Sequence, residues 1–228
     1  FILLPQQVSE SGVDTILLKM FLRGAEQISF FGYIIKKLIR FFIYKEFVMG
    51  SAWSQENYVK AYRFAAEAHK EQKVLDTELP YLFHVTLVCM ETIAALGQED
   101  GMDGNLAVQC ALLHDVLEDT DATYEMLETA FGKKVADGVL ALTKDETLPK
   151  EEQMRDSLER ILEESAEIGM VKLADRITNL MPPPSSWTRE KKEAYQLEAL
   201  EIHDTLQRSS KYLSQRLLEK MEAYREYF

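Results

Sequence analysis

The stretch CALLHDVLEDT, residues 110–120, joins an apolar run to a His-Asp pair and two further acids. On a helix, residues four apart lie on one face, so Glu118 lies one turn beyond His114 and Asp119 one turn beyond Asp115. The stretch thus combines one imidazole and three carboxylates with no lysine or arginine. Such a cluster repels itself unless a cation or a shared proton compensates the charge. We therefore predict a metal ion at this position.

Two distant segments offer further ligands of the same kind. His84 lies in PYLFHV, on an otherwise apolar helix side, and Asp175 lies in VKLADRITNL on one face with Lys172, Arg176 and Asn179. Two imidazoles and two carboxylates form an N/O ligand set that suits Mn, Fe, Co or Zn and leaves positions for water. Such an ion lowers the pKa of bound water and creates a nucleophile at neutral pH.

The other two histidines lack such companions. One turn after the second His-Asp pair, His203-Asp204, come Gln207 and Arg208, so no second carboxylate supports a cation there. We interpret His203 as a histidine at the edge of an apolar helix face. His69, near the end of its helix, is interpreted as structural or as a C-terminal cap.

The pattern beyond residue 50 predicts an all-α domain of seven to nine helices. Sustained period-2 alternation is missing, Gly and Pro are sparse, and apolar residues recur at helical spacing. We expect Ser54 to cap a helix that runs to about Lys70, and the helix after Pro80 to stop at Gly97. A further helix is expected to be capped by Asn105 and to continue to about Glu118. Others are expected from Asp121 to Gly132, from Lys133 to Leu142, and from Pro149.

Composition limits the function classes. The chain has 228 residues, 46% of them hydrophobic, and a formal net charge of −12, which argues against a protein that coats nucleic acid. The two cysteines, Cys89 and Cys110, lie in apolar runs and indicate buried thiols in a cytoplasmic protein. An uninterrupted apolar run of 18 residues does not occur, so a membrane-spanning helix is not expected.

The first 48 residues differ from the rest, and we expect two parts, 1–48 and 49–228. The segment ISFFGYIIKKLIRFFIYKEFV, residues 28–48, is aromatic and carries Lys36, Lys37 and Arg40 at helical spacing. One interpretation is a helix that lies on an anionic membrane surface. The interpretation that we favour is a leader or upstream-translated segment before the ordinary start at Met49. Membrane contact is expected only if residues 28–48 are a native segment.

The motifs together resemble a known family. HDVLEDT and KLADRITN, with AAEAHKEQK, PYLFH and LTK at 142–144, are similar to HD-domain phosphohydrolases, and within them to the hydrolase domain of RelA/SpoT-type proteins and the small alarmone hydrolases. The resemblance covers about residues 58–180. It implies an HD-domain helical bundle, a Mn²⁺ ion, a small-molecule nucleotide substrate, and removal of the 3′-diphosphate of guanosine 3′,5′-bis(diphosphate), ppGpp. The chain is too short for the synthetase domain of the long relatives.

The resemblance also implies roles for single residues. Glu118 and Asp119 match the acidic pair that orients and activates the attacking water, and Lys73 and Asn179 match substrate contacts. Arg176 and Lys144 supply either phosphate contacts or ordinary surface charge. The metal ligands that the resemblance implies are His84, His114, Asp115 and Asp175.

The chain departs from the family pattern in the loop after Lys73 and directly after His84. Val74 and Leu75 replace two basic residues that normally follow Lys73, and Val85 replaces the proline after His84. A polyanionic substrate needs local cations, so metal-dependent hydrolysis is better supported than ppGpp itself as substrate. The alternatives are hydrolysis of a different nucleotide and a non-catalytic nucleotide sensor in which the metal has a structural role. The intact Glu118-Asp119 pair favours an enzyme, because a structural metal needs no carboxylates that activate water.

Overall fold

A computed structural model describes residues 53–228, so the prediction for residues 1–48 lies outside the described part of the chain and stays a prediction. Residues 53–228 contain nine α-helices of eight residues or more, one single-turn α-helix, and no β-strand. The predicted all-α fold is therefore confirmed. The helices are α1 (Gln55–Ala68), α2 (Leu82–Leu96), α3 (Gly104–Leu113), α4 (Val116–Asp119), α5 (Tyr124–Phe131), α6 (Lys133–Leu142), α7 (Lys150–Glu163), α8 (Ala166–Asn179), α9 (Arg189–Leu206) and α10 (Lys211–Tyr224), followed by a 3₁₀ turn at Arg225–Tyr227.

Side-chain caps explain where several helices begin. The side chain of Ser54 accepts the backbone N–H of Asn57, as predicted, and so satisfies one of the free donors of the first turn. Two predicted starts are corrected. Asp103 rather than Asn105 caps α3, and α5 begins after Thr123 rather than at Asp121. Asn105 instead accepts the backbone N–H of Ser54 at 2.8 Å and so ties α3 to the start of α1.

The helix that carries the His-Asp pair is interrupted, whereas the sequence predicted one helix to about Glu118. Helix α3 ends at Leu113, and the single turn α4 begins after Asp115. Asp115 has φ −104° and ψ 0°, near the sparsely populated bridge region in which many active-site residues lie. In an uninterrupted helix two consecutive side chains point about 100° apart. The break is what allows His114 and Asp115 to face one centre.

Helix α8 forms the middle of the core. It packs against α2, α3, α6, α7, α9 and α10. Twelve of its fourteen residues are buried, as are nine of the ten residues of α3. Asp175 therefore lies in one of the two most deeply buried helices, and His114 directly follows the other. Within residues 53–228, we find no helix that is both long enough and apolar enough to cross a membrane.

Candidate metal and catalytic site

Four predicted ligands come together from three separate segments of the fold. His84 lies in the first turn of α2, His114 and Asp115 form the break between α3 and α4, and Asp175 lies near the end of α8. The His84 Nε2 atom lies 3.3 Å from His114 Nε2, 3.6 Å from Asp115 Oδ2 and 3.4 Å from Asp175 Oδ1. The His114 Nε2 atom lies 2.9 Å from Asp115 Oδ2.

These separations fit a shared metal ion. Donor atoms bound to one ion at roughly 2.0–2.2 Å lie about 3–3.5 Å apart. The ligand atoms of His84, His114 and Asp175 all lie within 4.8 Å of one another. His114 Nδ1 lies 2.9 Å from the carbonyl oxygen of Ala111, to which it donates, so Nε2 is the ring nitrogen that can bind an ion at the centre. Two imidazoles and two carboxylates are a donor set for a divalent metal ion.

Neighbouring polar groups orient the carboxylates of both predicted aspartate ligands, Asp115 and Asp175. The Tyr81 hydroxyl donates to Asp115 Oδ2, and the Asn179 side-chain amide donates to Asp175 Oδ1 at 2.6 Å. The buried Lys172 ammonium lies 3.5 Å from Asp175 Oδ2. Partners of this kind fix the geometry of metal ligands and tune their basicity. No role in the site was predicted for Tyr81 or Lys172 from the sequence, although each precedes a predicted ligand by three residues and so lies on the same helix face.

The pKa values of the cluster follow from its charges. Burial disfavours the charged form of His114, yet the carboxylates of Asp115 and Asp175 raise its pKa to about 9. Burial also opposes the charged form of Asp115, but the His114 imidazole holds the pKa of that carboxyl below its usual value. The Lys172 ammonium and both imidazoles likewise lower the pKa of Asp175 despite its burial. Without a metal, a proton on His114 supplies compensating positive charge.

The predicted water-activating acids lie on the single turn α4, next to the ligands. Glu118 accepts the backbone N–H of Lys144 at 3.1 Å, and its other oxygen lies 3.4 Å from the Lys144 ammonium. Asp119 accepts a hydrogen bond from the Gln72 amide at 3.0 Å. Partial burial, together with the charges of Asp115 and Glu118, raises the pKa of Asp119 against the effect of the Gln72 hydrogen bond. Both acids line an open groove with Ala68, Lys70, Glu71, Gln72, Thr120 and Asp121.

The predicted substrate contacts all have partners within the protein. Lys73 pairs with Glu78 on the exposed loop before α2, and Lys144 pairs with Glu118. Arg176 is buried, and one of its nitrogens lies 2.6 Å from Glu198. Its guanidinium also lies 4.2 Å from the centre of the Tyr195 ring, so it does not stand at an open surface. For these residues the role in substrate binding stays a prediction.

His203 serves a different part of the fold. Its Nδ1 atom lies 2.9 Å from Asp204 Oδ1, and its Nε2 atom lies 3.0 Å from the Ser214 hydroxyl. Because His203 belongs to α9 and Ser214 to α10, this histidine links the last two helices.

Comparisons with known proteins agree on one family. The family model described as HD domain matches residues 61–209. The MESH1 protein of Xenopus tropicalis, named a guanosine-3′,5′-bis(diphosphate) 3′-pyrophosphohydrolase, is 35% identical over 164 residues, which cover 70% of this chain and 89% of that protein. Human MESH1 is 34% identical over 174 residues, which cover 74% of this chain and 94% of the human protein.

Solved structures are similar as well. The structure described as a metazoan ortholog of SpoT that hydrolyzes ppGpp matches with a TM-score of 0.67 at 30% identity, covering 78% of this chain and 99% of that one. The crystal structure of lmo0812 from Listeria monocytogenes matches with a TM-score of 0.52 at 22% identity, covering 65% of this chain and 99% of that one. At that identity the second match concerns the fold alone.

Proposed function

The chain belongs to the HD-domain family, and on that premise we propose that it is a metal-dependent phosphohydrolase that removes the 3′-diphosphate of ppGpp. The observation that carries this proposal is the convergence of His84, His114, Asp115 and Asp175 next to the acids of α4. The relatives from frog and human are named for that activity, and the match covers 89% and 94% of their lengths.

The residues of the site divide the reaction between them. When bound, a divalent cation supplies Lewis acidity and water of lowered pKa. Asp119 takes a proton from the attacking water, and Glu118, held by Lys144, orients that water. The water oxygen forms a bond to the phosphorus next to the ribose 3′-oxygen, the bond from that phosphorus to the 3′-oxygen breaks, and the 3′-oxygen receives a proton. Diphosphate and GDP are the products.

We take the ion to be Mn²⁺ and the location to be the cytoplasm. A set of two imidazoles and two carboxylates suits Mn²⁺ and leaves coordination positions for water. Cys89 and Cys110 are both buried and unpaired, which supports a reducing compartment.

The substrate contacts in this proposal are Lys73, Lys144, Arg176 and Asn179. In the loop after Lys73, the side chains of Asp76 and Glu78 are acidic, Glu78 pairs with Lys73, and Leu75 is 65% exposed. This surface favours a second candidate, hydrolysis of a nucleotide that carries less negative charge on the part that would contact this loop. A nucleotide sensor that retains its metal without turnover is a further alternative.

The experiment that tests the proposal combines metal analysis with product chromatography. We expect the purified protein to bind about one divalent ion per chain and to convert ppGpp into GDP and diphosphate. The substitution His114→Ala should remove both metal and turnover, whereas His203→Gln should change neither, because His203 lies between α9 and α10. Turnover in a metal-free His114→Ala protein would contradict the proposal.

A substrate panel separates the alternatives. Guanosine tetraphosphate and pentaphosphate should be cleaved faster than nucleotides with a single 3′- or 2′-phosphate. The reverse order would favour the second candidate. Binding of every nucleotide without product release would favour the sensor.

A further inference from the structure

A chain of two hydrogen bonds leads from a buried histidine to the candidate base. His69 Nδ1 lies 2.6 Å from the side-chain oxygen of Gln72, and the side-chain nitrogen of Gln72 lies 3.0 Å from Asp119 Oδ2. Gln72 lies in the short turn after α1, and Asp119 is the last residue of α4. The three residues thus join two segments that are 47 positions apart.

The chemistry of the groups decides the direction of these bonds. An ionised carboxylate only accepts hydrogen bonds, so the NH₂ of Gln72 must face Asp119 and its oxygen must face the histidine. A glutamine oxygen only accepts, so Nδ1 of His69 must carry the proton. His69 Nε2 then carries a lone pair, and within residues 53–228 it is buried without a hydrogen-bond partner. Burial lowers the pKa of His69, which keeps the ring neutral.

The histidine and the glutamine are themselves well held. His69 is only 2% exposed, its ring centre lies 4.9 Å from that of Tyr81, and its backbone N–H donates to Ala65 at 2.9 Å. The carbonyl oxygen of Gln72 accepts the backbone N–H of Tyr81 at 2.9 Å. Tyr81 in turn donates to the ligand Asp115, so the support of Asp119 is continuous with the support of the metal ligands.

Asp119 needs such a support because its own helix provides little. The single turn α4 ends at this residue, and its side chain is only partly buried. An exposed carboxylate without a partner samples several rotamers. A reacting group that is misplaced by about 1 Å costs on the order of 100-fold in rate. The Gln72 amide engages Oδ2, which leaves Oδ1 for the attacking water.

We propose that Gln72 positions Asp119 for proton transfer, and that His69 acts as a second positioning residue by fixing the orientation of the Gln72 amide. This inference rests on the proposed hydrolytic function, in which Asp119 is the base.

The first test is the substitution Gln72→Met, which keeps the length of the side chain and removes both hydrogen bonds. We expect kcat to fall about 10–100-fold with bound metal and KM nearly unchanged, as is usual when the partner of a catalytic group is lost. The matched control is Gln153→Met, since Gln153 is also half-buried but donates to the Leu148 carbonyl instead. A wild-type kcat in Gln72→Met would overturn the proposal.

A double-mutant cycle separates positioning from a general structural role. In an Asp119→Asn background, Gln72→Met should cause no further loss of kcat, because the glutamine acts through that carboxylate. Losses that simply multiply would contradict this. At position 69, His69→Asn retains a donor near the place of Nδ1 and should keep most of the activity, whereas His69→Leu should lose as much as Gln72→Met. Equal losses in the Asn and Leu variants would contradict the role of the Nδ1 proton.

A third readout does not depend on turnover. The imidazole nitrogen chemical shifts of His69 should identify a neutral ring protonated at Nδ1, and Gln72→Met should abolish that preference. A neutral His69 ring protonated at Nε2 in the wild-type protein would contradict the proposed hydrogen-bond chain from His69 through Gln72 to Asp119. If the wild-type protein hydrolysed no nucleotide, the proposed function would fail, while the tautomer of His69 would still test the hydrogen-bond chain.

Discussion

Three carboxylates within five residues have three different sets of partners. Asp115 faces the imidazoles and accepts from Tyr81, Glu118 is held by Lys144, and Asp119 is held by Gln72. Separate environments allow similar groups to take separate roles in one site. Asp115 is suited to bind a cation, and the two acids of α4 are suited to handle water.

At the residue scale, the substitution Asp119→Asn tests that division. We expect the variant to retain its metal, because all four proposed ligands are intact, and to lose about 10²–10⁴-fold in kcat, the usual contribution of a general base. Metal analysis and initial rates on the same preparation measure both. An unchanged rate would remove Asp119 from the mechanism.

The same carboxylate affects stability in the metal-free protein. Partial burial raises the pKa of Asp119 in the folded state, so ionisation of this group disfavours folding. The protonated carboxyl of Asp119 favours the folded state. This contribution to the free energy of unfolding is complete below the ordinary pKa of aspartate and is lost as the pH rises through the folded-state pKa. Asp119→Asn should therefore be more stable than the wild type at pH 7, and the difference should vanish on acidification. Urea unfolding in the presence of a chelator, at pH 7 and near pH 3, measures the two differences, and a difference that stays constant with pH would contradict the prediction.

At the scale of elements, α8 brings Asp175 to the site only because it packs closely against its neighbours. Gly169 permits one of these close approaches. A Cβ atom at this position would lie 2.8 Å from the Cβ of Ser209 and 2.2 Å from its hydroxyl oxygen. The connection between α9 and α10, which contains Ser209, can therefore pass directly over the helix.

The substitution Gly169→Ala should consequently destabilise the protein. Overpacking costs about 1–3 kcal/mol, and the better helix propensity of alanine offsets roughly 1 kcal/mol of it. Chemical unfolding measures the difference. The second substitution Ser209→Gly removes the clashing atoms and should restore stability to the double variant, whereas a double variant as unstable as Gly169→Ala would show that the contact is not the cause.

At the scale of the whole molecule, the proposed metal site joins parts of the chain that are far apart in sequence. The proposed ligands lie between residues 84 and 175 and come from α2, from the break between α3 and α4, and from α8. An ion that binds only the folded arrangement stabilises it by mass action.

We therefore expect metal to raise the stability of the whole domain. Free Mn²⁺ at about 100 times its dissociation constant should add roughly 2.7 kcal/mol to the free energy of unfolding. In a domain of this size that corresponds to a rise of about 5–11 °C in Tm, which calorimetry detects. A chelator should reverse the rise, and His114→Ala should show none. A rise of equal size in that variant would locate the stabilising ion elsewhere.

Much of the fold and of the metal site was predictable because the relevant signals are local. Helical spacing, the Ser54 cap and the stop at Gly97 depend on residues within one or two turns, and the structure has them as predicted. The ligand types also follow from sequence, since an acidic patch around His114 needs a cation wherever it lies. The resemblance to the family then supported the prediction that His84 and Asp175 belong to the same site as that patch.

The sequence by itself thus determined most of the helices and the HD family, and it predicted the chemical nature of the ligand set. Only the tertiary structure decided the break at His114-Asp115, the burial of Arg176 between Glu198 and Tyr195, and the path from His69 through Gln72 to Asp119. The physical reason is the distance along the sequence between the groups that make each contact. A helix is stabilised by hydrogen bonds four residues apart, whereas these features depend on side chains from distant segments, whose contacts exist only after the core has packed.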